Sequence, residues 1–159
     1  PSATYTDQMN DVAGIYARES GYLDSYVQIA LAQGRVISVS FPTEPEPEAG
    51  SEHALLDRVE AYLGGERDTF EDVQVALTVP TDQRAVLDAV GSIPYGETAT
   101  VEQLARMTPG RDPDESAPTI REAVTVNPAP VLIPTHRVRD VAGSEPANIA
   151  EKLRAVEGL

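Results

Sequence analysis

The patterning of the chain changes once, near Pro80, and that change constrains the fold more than any other feature. Before it, residues 26–31 and 35–41 are rich in β-branched side chains and flank Gln33 and Gly34, which predicts a β-hairpin. Residues 14–18 read as an earlier strand and residues 70–77 as a short returning one. Leu55, Leu56, Val59, Tyr62 and Leu63 recur at helical spacing until Gly64 and Gly65 stop the run. Between hairpin and helix, residues 42–50 alternate Pro with Glu and predict an exposed extended loop. Beyond Pro80 the period is helical. Thr81 reads as the cap of a helix with the stripe Ala85, Val86, Ala89 and Val90, ending near Gly91. Residues 93–98 read as a turn. Thr100 predicts an N-cap, with Gln103 completing a capping box on a short helix that carries Leu104 and Met107. Residues 108–114, with Pro109, Gly110 and Pro113, read as a loop. Residues 116–124 form another short helix with Ile120, Ala123 and Val124 inward. Two short helices on a tight connection fit a helix-turn-helix. The expected architecture is a small α/β sheet subdomain over residues 1–79 and a mostly helical subdomain over residues 80–159.

Composition excludes several classes. At 159 residues the chain suits one compact domain or two small ones, and 41% hydrophobic residues support a packed core. No run approaches the roughly 20 apolar residues of a membrane span, and no basic-then-apolar leader is visible, so a cytoplasmic protein without membrane contact is expected. Cysteine is absent, which excludes disulfides, thiolate metal sites and a thiol nucleophile. No metal site and no cofactor are expected.

The charge is −14, from 26 acidic and 12 basic residues, and Lys152 is the single lysine. Residues 1–79 carry 14 acidic and 4 basic side chains; residues 80–159 carry 12 and 8. Acidity with lysine depletion points to a halophilic, archaeal source. Carboxylate self-repulsion is tolerable where the Debye length is about 3 Å, as at molar salt.

Residues 127–138, Asn-Pro-Ala-Pro-Val-Leu-Ile-Pro-Thr-His-Arg-Val, resemble the active-site segment of the O6-alkylguanine-DNA alkyltransferases, also called methylated-DNA–protein-cysteine methyltransferases. In that family an Asn-Pro, an apolar strand and Pro-Cys-His-Arg-Val follow in this order. Upstream, Gln83-Arg-Ala-Val and Ile93-Pro-Tyr-Gly-Glu-Thr98 match a second family stretch, Gln103-Leu-Ala its first DNA-binding helix, and Leu153-Arg-Ala-Val-Glu-Gly158 its closing helix. The resemblance covers residues 81–159. Residues 1–80 agree in expected shape with the family's ribonuclease-H-like N-terminal domain. Membership implies a helix-turn-helix in the minor groove of double-stranded DNA, a damaged guanine flipped into a pocket while an Arg props the gap, and a cysteine that takes the alkyl group, activated through His, water and Glu.

By the same resemblance, Thr135 holds the nucleophile position, with His136 and Glu157 as relay-like residues. A threonine hydroxyl is protonated at neutral pH, so no intact catalytic residue is expected. The DNA-binding candidates are Thr100, Gln103, Thr119, Arg121 and Asn127; the pocket candidates are Val101, Pro134, Thr135 and Ser144. Pro118 stands where the family has its flipping Arg, and Arg121 lies one helical turn later, as a substitute or a phosphate contact. Val101 replaces a common Tyr, and the loop over residues 143–149 is shorter than the family's. With no nucleophile to activate, His136 and Glu157 read better as structural residues, His136 ordering the site by hydrogen bonding and Glu157 as a terminal-helix carboxylate, and Arg137 reads better as a structural hydrogen-bonding residue than as a DNA contact.

Three functions follow. One is a non-catalytic lesion sensor for O6-alkylguanine in DNA repair, handing the lesion to a repair partner the sequence does not name. The others are a helix-turn-helix DNA-binding module without lesion preference and an interaction scaffold. The charge makes one measurable demand on all three: the thermal midpoint should rise from low salt to molar KCl, and an unchanged melt would refute the halophilic reading.

Overall fold

The computed structural model describes residues 14–108 and 113–159. Two compact units divide the chain, residues 1–76 and 77–159.

In the first unit β1 (Gly14–Ser20), β2 (Ser25–Ala32) and β3 (Arg35–Ser40) form an antiparallel meander in that order. Gln33 and Gly34, both at positive φ, close the β2–β3 hairpin with a two-residue turn whose twist suits the strands. Val27, Ile29 and Leu31 alternate inward along β2. They share a core with Leu55, Leu56, Val59 and Tyr62 of α1 (Ala54–Leu63), which Gly64 ends. Arg18 ties β1 to α1 through Asp57 at 2.6 Å and Glu60 at 3.1 Å. The Pro-Glu segment is exposed, though a turn from Glu46 to Ala49 interrupts the extended chain expected there. It ends on Gly50, where a Cβ would meet the Tyr16 ring at 2.9 Å.

Residues 70–77 are not the expected strand. Phe70 takes a left-handed conformation, and its N–H donates to Asp68 Oδ1 at 2.9 Å, which bends the chain. A single bridge, Val36 to Val75, is all that pairs with the sheet.

The second unit holds α2 (Thr81–Gly91), α3 (Val101–Met107), α4 (Pro113–Thr125) and α5 (Ala147–Val156). Pro80, with no side-chain donor or acceptor, is the N-cap of α2, and Thr81 is its first helical residue rather than the cap. Leu87 is buried on its inward face with Val86, Ala89 and Val90, while Ala85 is half-buried. The capping box of α3 forms as expected. Thr100 Oγ1 accepts from the Gln103 N–H at 3.1 Å, and Gln103 Oε1 accepts from the Thr100 N–H at 2.8 Å. Helix α4 begins at Pro113, so residues 113–114 are helical and not loop; residues 109–112 of that expected loop lie outside the described residues. Proline is favoured in the first helical turn, where its missing N–H costs nothing. Ile120, Ala123 and Val124 are fully buried, and α4 packs on α2 and α3. The apolar segment before Pro134 is not a regular strand: Val131 sits at φ 78°, and one bridge joins Pro130 and Ile133.

His53 caps α1, its Nδ1 accepting the Leu55 N–H at 3.0 Å, with its ring 4.8 Å from that of Tyr16. Burial holds the imidazole below its ordinary value, against the opposing pull of Asp57. A depressed imidazole favours folding while it is neutral in both states. That contribution is full above the unfolded value of about 6.5 and is lost as pH falls below it, because the unfolded chain takes the proton first. His53→Asn keeps an N-cap acceptor but does not titrate. Melts at pH 7.5 and pH 5.5 should show a smaller loss of midpoint in His53→Asn than in the native chain; equal losses would exclude the histidine as the cause.

Candidate DNA-reading site

The segment after α4 builds the site. Thr135, His136 and Arg137 form one 3-10 turn behind Pro134, and all three are buried. Around this turn the chain closes a short parallel bridge, with the Ala99 N–H on Arg137 O and the Arg139 N–H on Ala99 O, each at 2.9 Å. The motif is therefore held by main chain on one side and by side chains on the other.

Glu157, the C-cap of α5, has a completely buried carboxylate. Its Oε1 accepts from Arg137 Nε at 2.8 Å and from the Gly96 N–H at 2.9 Å. Its Oε2 accepts from Arg137 Nη2 at 3.0 Å and lies 2.7 Å from His136 Nε2. Arg137 completes its fork on Ile93 O at 2.6 Å and lies over the Tyr95 ring, 5.7 Å from its centroid. A carboxylate filled by a bidentate guanidinium, an amide and an imidazole is anchored as a charged group. His136, Arg137 and Glu157 thus meet in one buried hydrogen-bonded cluster.

The Thr135 hydroxyl has other partners. Asn127 Nδ2 donates to it at 3.1 Å and also to Ile133 O at 2.9 Å, while Asn127 Oδ1 accepts from the Ala129 N–H. Asn127 is 2% exposed, so its amide is spent inside the fold, and it offers DNA no surface. On its far side Thr135 Oγ1 donates to Glu145 Oε2 at 3.4 Å. Glu145 is buried, and Gly143 lies against both: a Cβ there would meet Thr135 Oγ1 at 2.6 Å and also strike the Glu145 carboxylate. Ser144 pins this loop by donating to Asn127 O at 2.6 Å.

Of the remaining candidates, Val101 is buried at the start of α3, and its N–H donates to Asp140 Oδ1 at 2.9 Å. Pro134 is buried. Thr100 and Gln103 satisfy each other in the capping box, although Gln103 is exposed. Thr119 is half-buried on α4, and Arg121 is exposed with a long bond to Asp140 O at 3.4 Å. Pro118 faces solvent inside α4.

Glu145 and Asp140 are the site residues that sequence reading missed. Both sit in a loop without periodicity, so no pattern marks them. The adjacent Pro146, N-cap of α5, was the one local cue that Glu145 would be fixed in place.

The family described as 6-O-methylguanine DNA methyltransferase, DNA binding domain, matches residues 81–157. A methylated-DNA–protein-cysteine methyltransferase of Archaeoglobus fulgidus is 31% identical over 114 residues, 71% of this chain and 72% of that protein. One from Mycobacterium bovis is 32% identical over 101 residues, 61% of this chain and 56% of its own length. The crystal structure of Mycobacterium tuberculosis OGT in complex with DNA superposes with a TM-score of 0.69 at 21% identity, covering 90% of this chain and 91% of that one. Sequence, motif order and fold agree: the chain belongs to the methylated-DNA–protein-cysteine methyltransferase family, as a cysteine-less member.

Proposed function

We propose that this chain is a non-catalytic, DNA-binding member of its family that acts in DNA repair. Thr135 carries the reading. The alkyl-accepting position holds a hydroxyl, already bonded to Asn127 and Glu145, and His136 is committed to Glu157. A buried alcohol so engaged lacks the nucleophilicity of a thiolate. The scaffold around it is intact. Helices α3 and α4 pack on one another as the two helices of a helix-turn-helix, with Gln103 and Arg121 exposed on them. Docking in the minor groove of double-stranded DNA is the expected mode. The acidic surface leaves phosphate attraction a small share, so affinity rests on fit, backbone hydrogen bonds and apolar burial.

A second reading, recognition of O6-alkylguanine, is favoured by the small side chain at position 135. Pro118 in place of the propping Arg and Glu145 against Thr135 weigh against it.

Anisotropy titration of a plain duplex and its O6-methylguanine counterpart in molar KCl tests both readings. Saturable binding of the plain duplex supports the first; binding of the lesion duplex alone supports the second; no binding of either refutes DNA as the ligand. Arg121→Ala should weaken both duplexes equally and lower the log–log salt slope by about 0.9, as loss of one phosphate contact does.

The native chain should transfer no methyl group, and Thr135→Cys little. In-line attack tolerates misplacement poorly, about 100-fold in rate for 1 Å, and the buried Glu145 carboxylate already lies 3.4 Å from the Thr135 hydroxyl. Protein mass after incubation with excess O6-methylguanine duplex reads the outcome. Rapid stoichiometric gain of one methyl by Thr135→Cys would show an open, competent pocket.

A further inference from the structure

Among the described residues of the second unit, Glu157 and Glu145 are buried carboxylates, and they are treated differently. Glu157 receives donors on both oxygens. Glu145, 6% exposed, receives one bond, from the Thr135 hydroxyl to Oε2 at the long distance of 3.4 Å. Its Oε1 is buried without a hydrogen-bond partner. Burying an acceptor in this state is costly, and a carboxylate oxygen can only accept. Gly143 has no side chain, and any Cβ there would collide with Thr135 Oγ1 and with Glu145. The geometry therefore preserves an acceptor with unused capacity beside the residue at the alkyl-accepting position.

We infer that Glu145 makes the site at Thr135 select a base edge bearing N–H donors and reject the O6-alkylated edge of guanine. The inference rests on the reading that this chain binds DNA, with a base turned out of the stack. Guanine carries N1–H and N2–H side by side, a fork that matches the two oxygens of a carboxylate. Its O6 is a carbonyl acceptor. The Thr135 hydroxyl, braced by Asn127 Nδ2, supplies the donor for it once its long bond to Glu145 is exchanged. Alkylation at O6 removes the N1 proton, so a lone pair faces Glu145, and it places an alkyl group against Thr135. Cytosine and adenine offer one exocyclic amine and no adjacent ring donor, so they fill one carboxylate oxygen only. Admission of guanine requires residues 143–145 to part from Thr135, which gives up the 3.4 Å contact from Thr135 to Glu145 and the 2.6 Å bond by which Ser144 pins the loop to Asn127 O.

The test places guanine or O6-methylguanine opposite an abasic site in otherwise identical duplexes, so that neither base has pairing to lose. Competition binding in molar KCl is measured for the native chain and for Glu145→Gln, which keeps the side chain's shape and adds a donor. The native chain should bind the guanine duplex about tenfold or more tightly than the O6-methylguanine duplex. Glu145→Gln should cut that ratio to about one or reverse it, because its amide can donate to N1. A native ratio of one, or a preference for O6-methylguanine, overturns the inference without reference to any variant, as does an unchanged ratio in Glu145→Gln. If no duplex binds at all, the DNA reading falls and takes this one with it; if duplexes bind and the ratio ignores Glu145, this inference alone falls.

Discussion

The buried charge of Glu157 is the interaction on which residues 93–157 depend. Its carboxylate is wholly removed from water and is matched by Arg137, with the Gly96 amide and His136 filling the remaining positions. The pair joins three stretches far apart in sequence: the turn before α3, the 3-10 turn that carries Thr135, and the end of α5. Removing one partner of such a pair leaves an uncompensated charge and costs about 3–5 kcal/mol. His136 and Glu157 therefore serve as a brace between the 3-10 turn and the end of α5.

The Pro-Thr-His-Arg-Val run is held together because Arg137 and His136 bond Glu157, and Asn127 beside it holds Ile133 and Thr135 in place through its amide. Thr135 fits the same frame, since its hydroxyl can accept from Asn127 and donate onward to Glu145. Pro118 and Arg121, on α4, lie outside this frame.

The hairpin, α1 and the capping box of α3 were legible because local chemistry decides them. Alternating Val27, Ile29 and Leu31, the Gln33–Gly34 turn, and the Thr100–Gln103 pair each require no distant partner. Residues 70–77 were misread because their β-branched composition suits a strand, whereas Asp68 holds Phe70 in a turn, a contact that no periodicity encodes. Thr81 suited a cap by type, but Pro80 with its fixed φ already supplies the break in direction. In the site, Thr135, His136 and Glu157 followed from motif order. Glu145 did not, because its role arises from a loop folding back over Thr135, and sequence spacing alone does not describe that path.

Gly143 makes this loop hard to revise. A Cβ at this position would meet Thr135 Oγ1 at 2.6 Å and also the Glu145 carboxylate, so any other residue there requires those side chains to shift. A sulfur at position 135 is larger than the hydroxyl it would replace and would press on the same carboxylate. Positions 135, 143 and 145 are thus constrained together: a larger atom at 135 is accommodated only by a shift of the Glu145 carboxylate, and the loop at 143 leaves that carboxylate little room to shift.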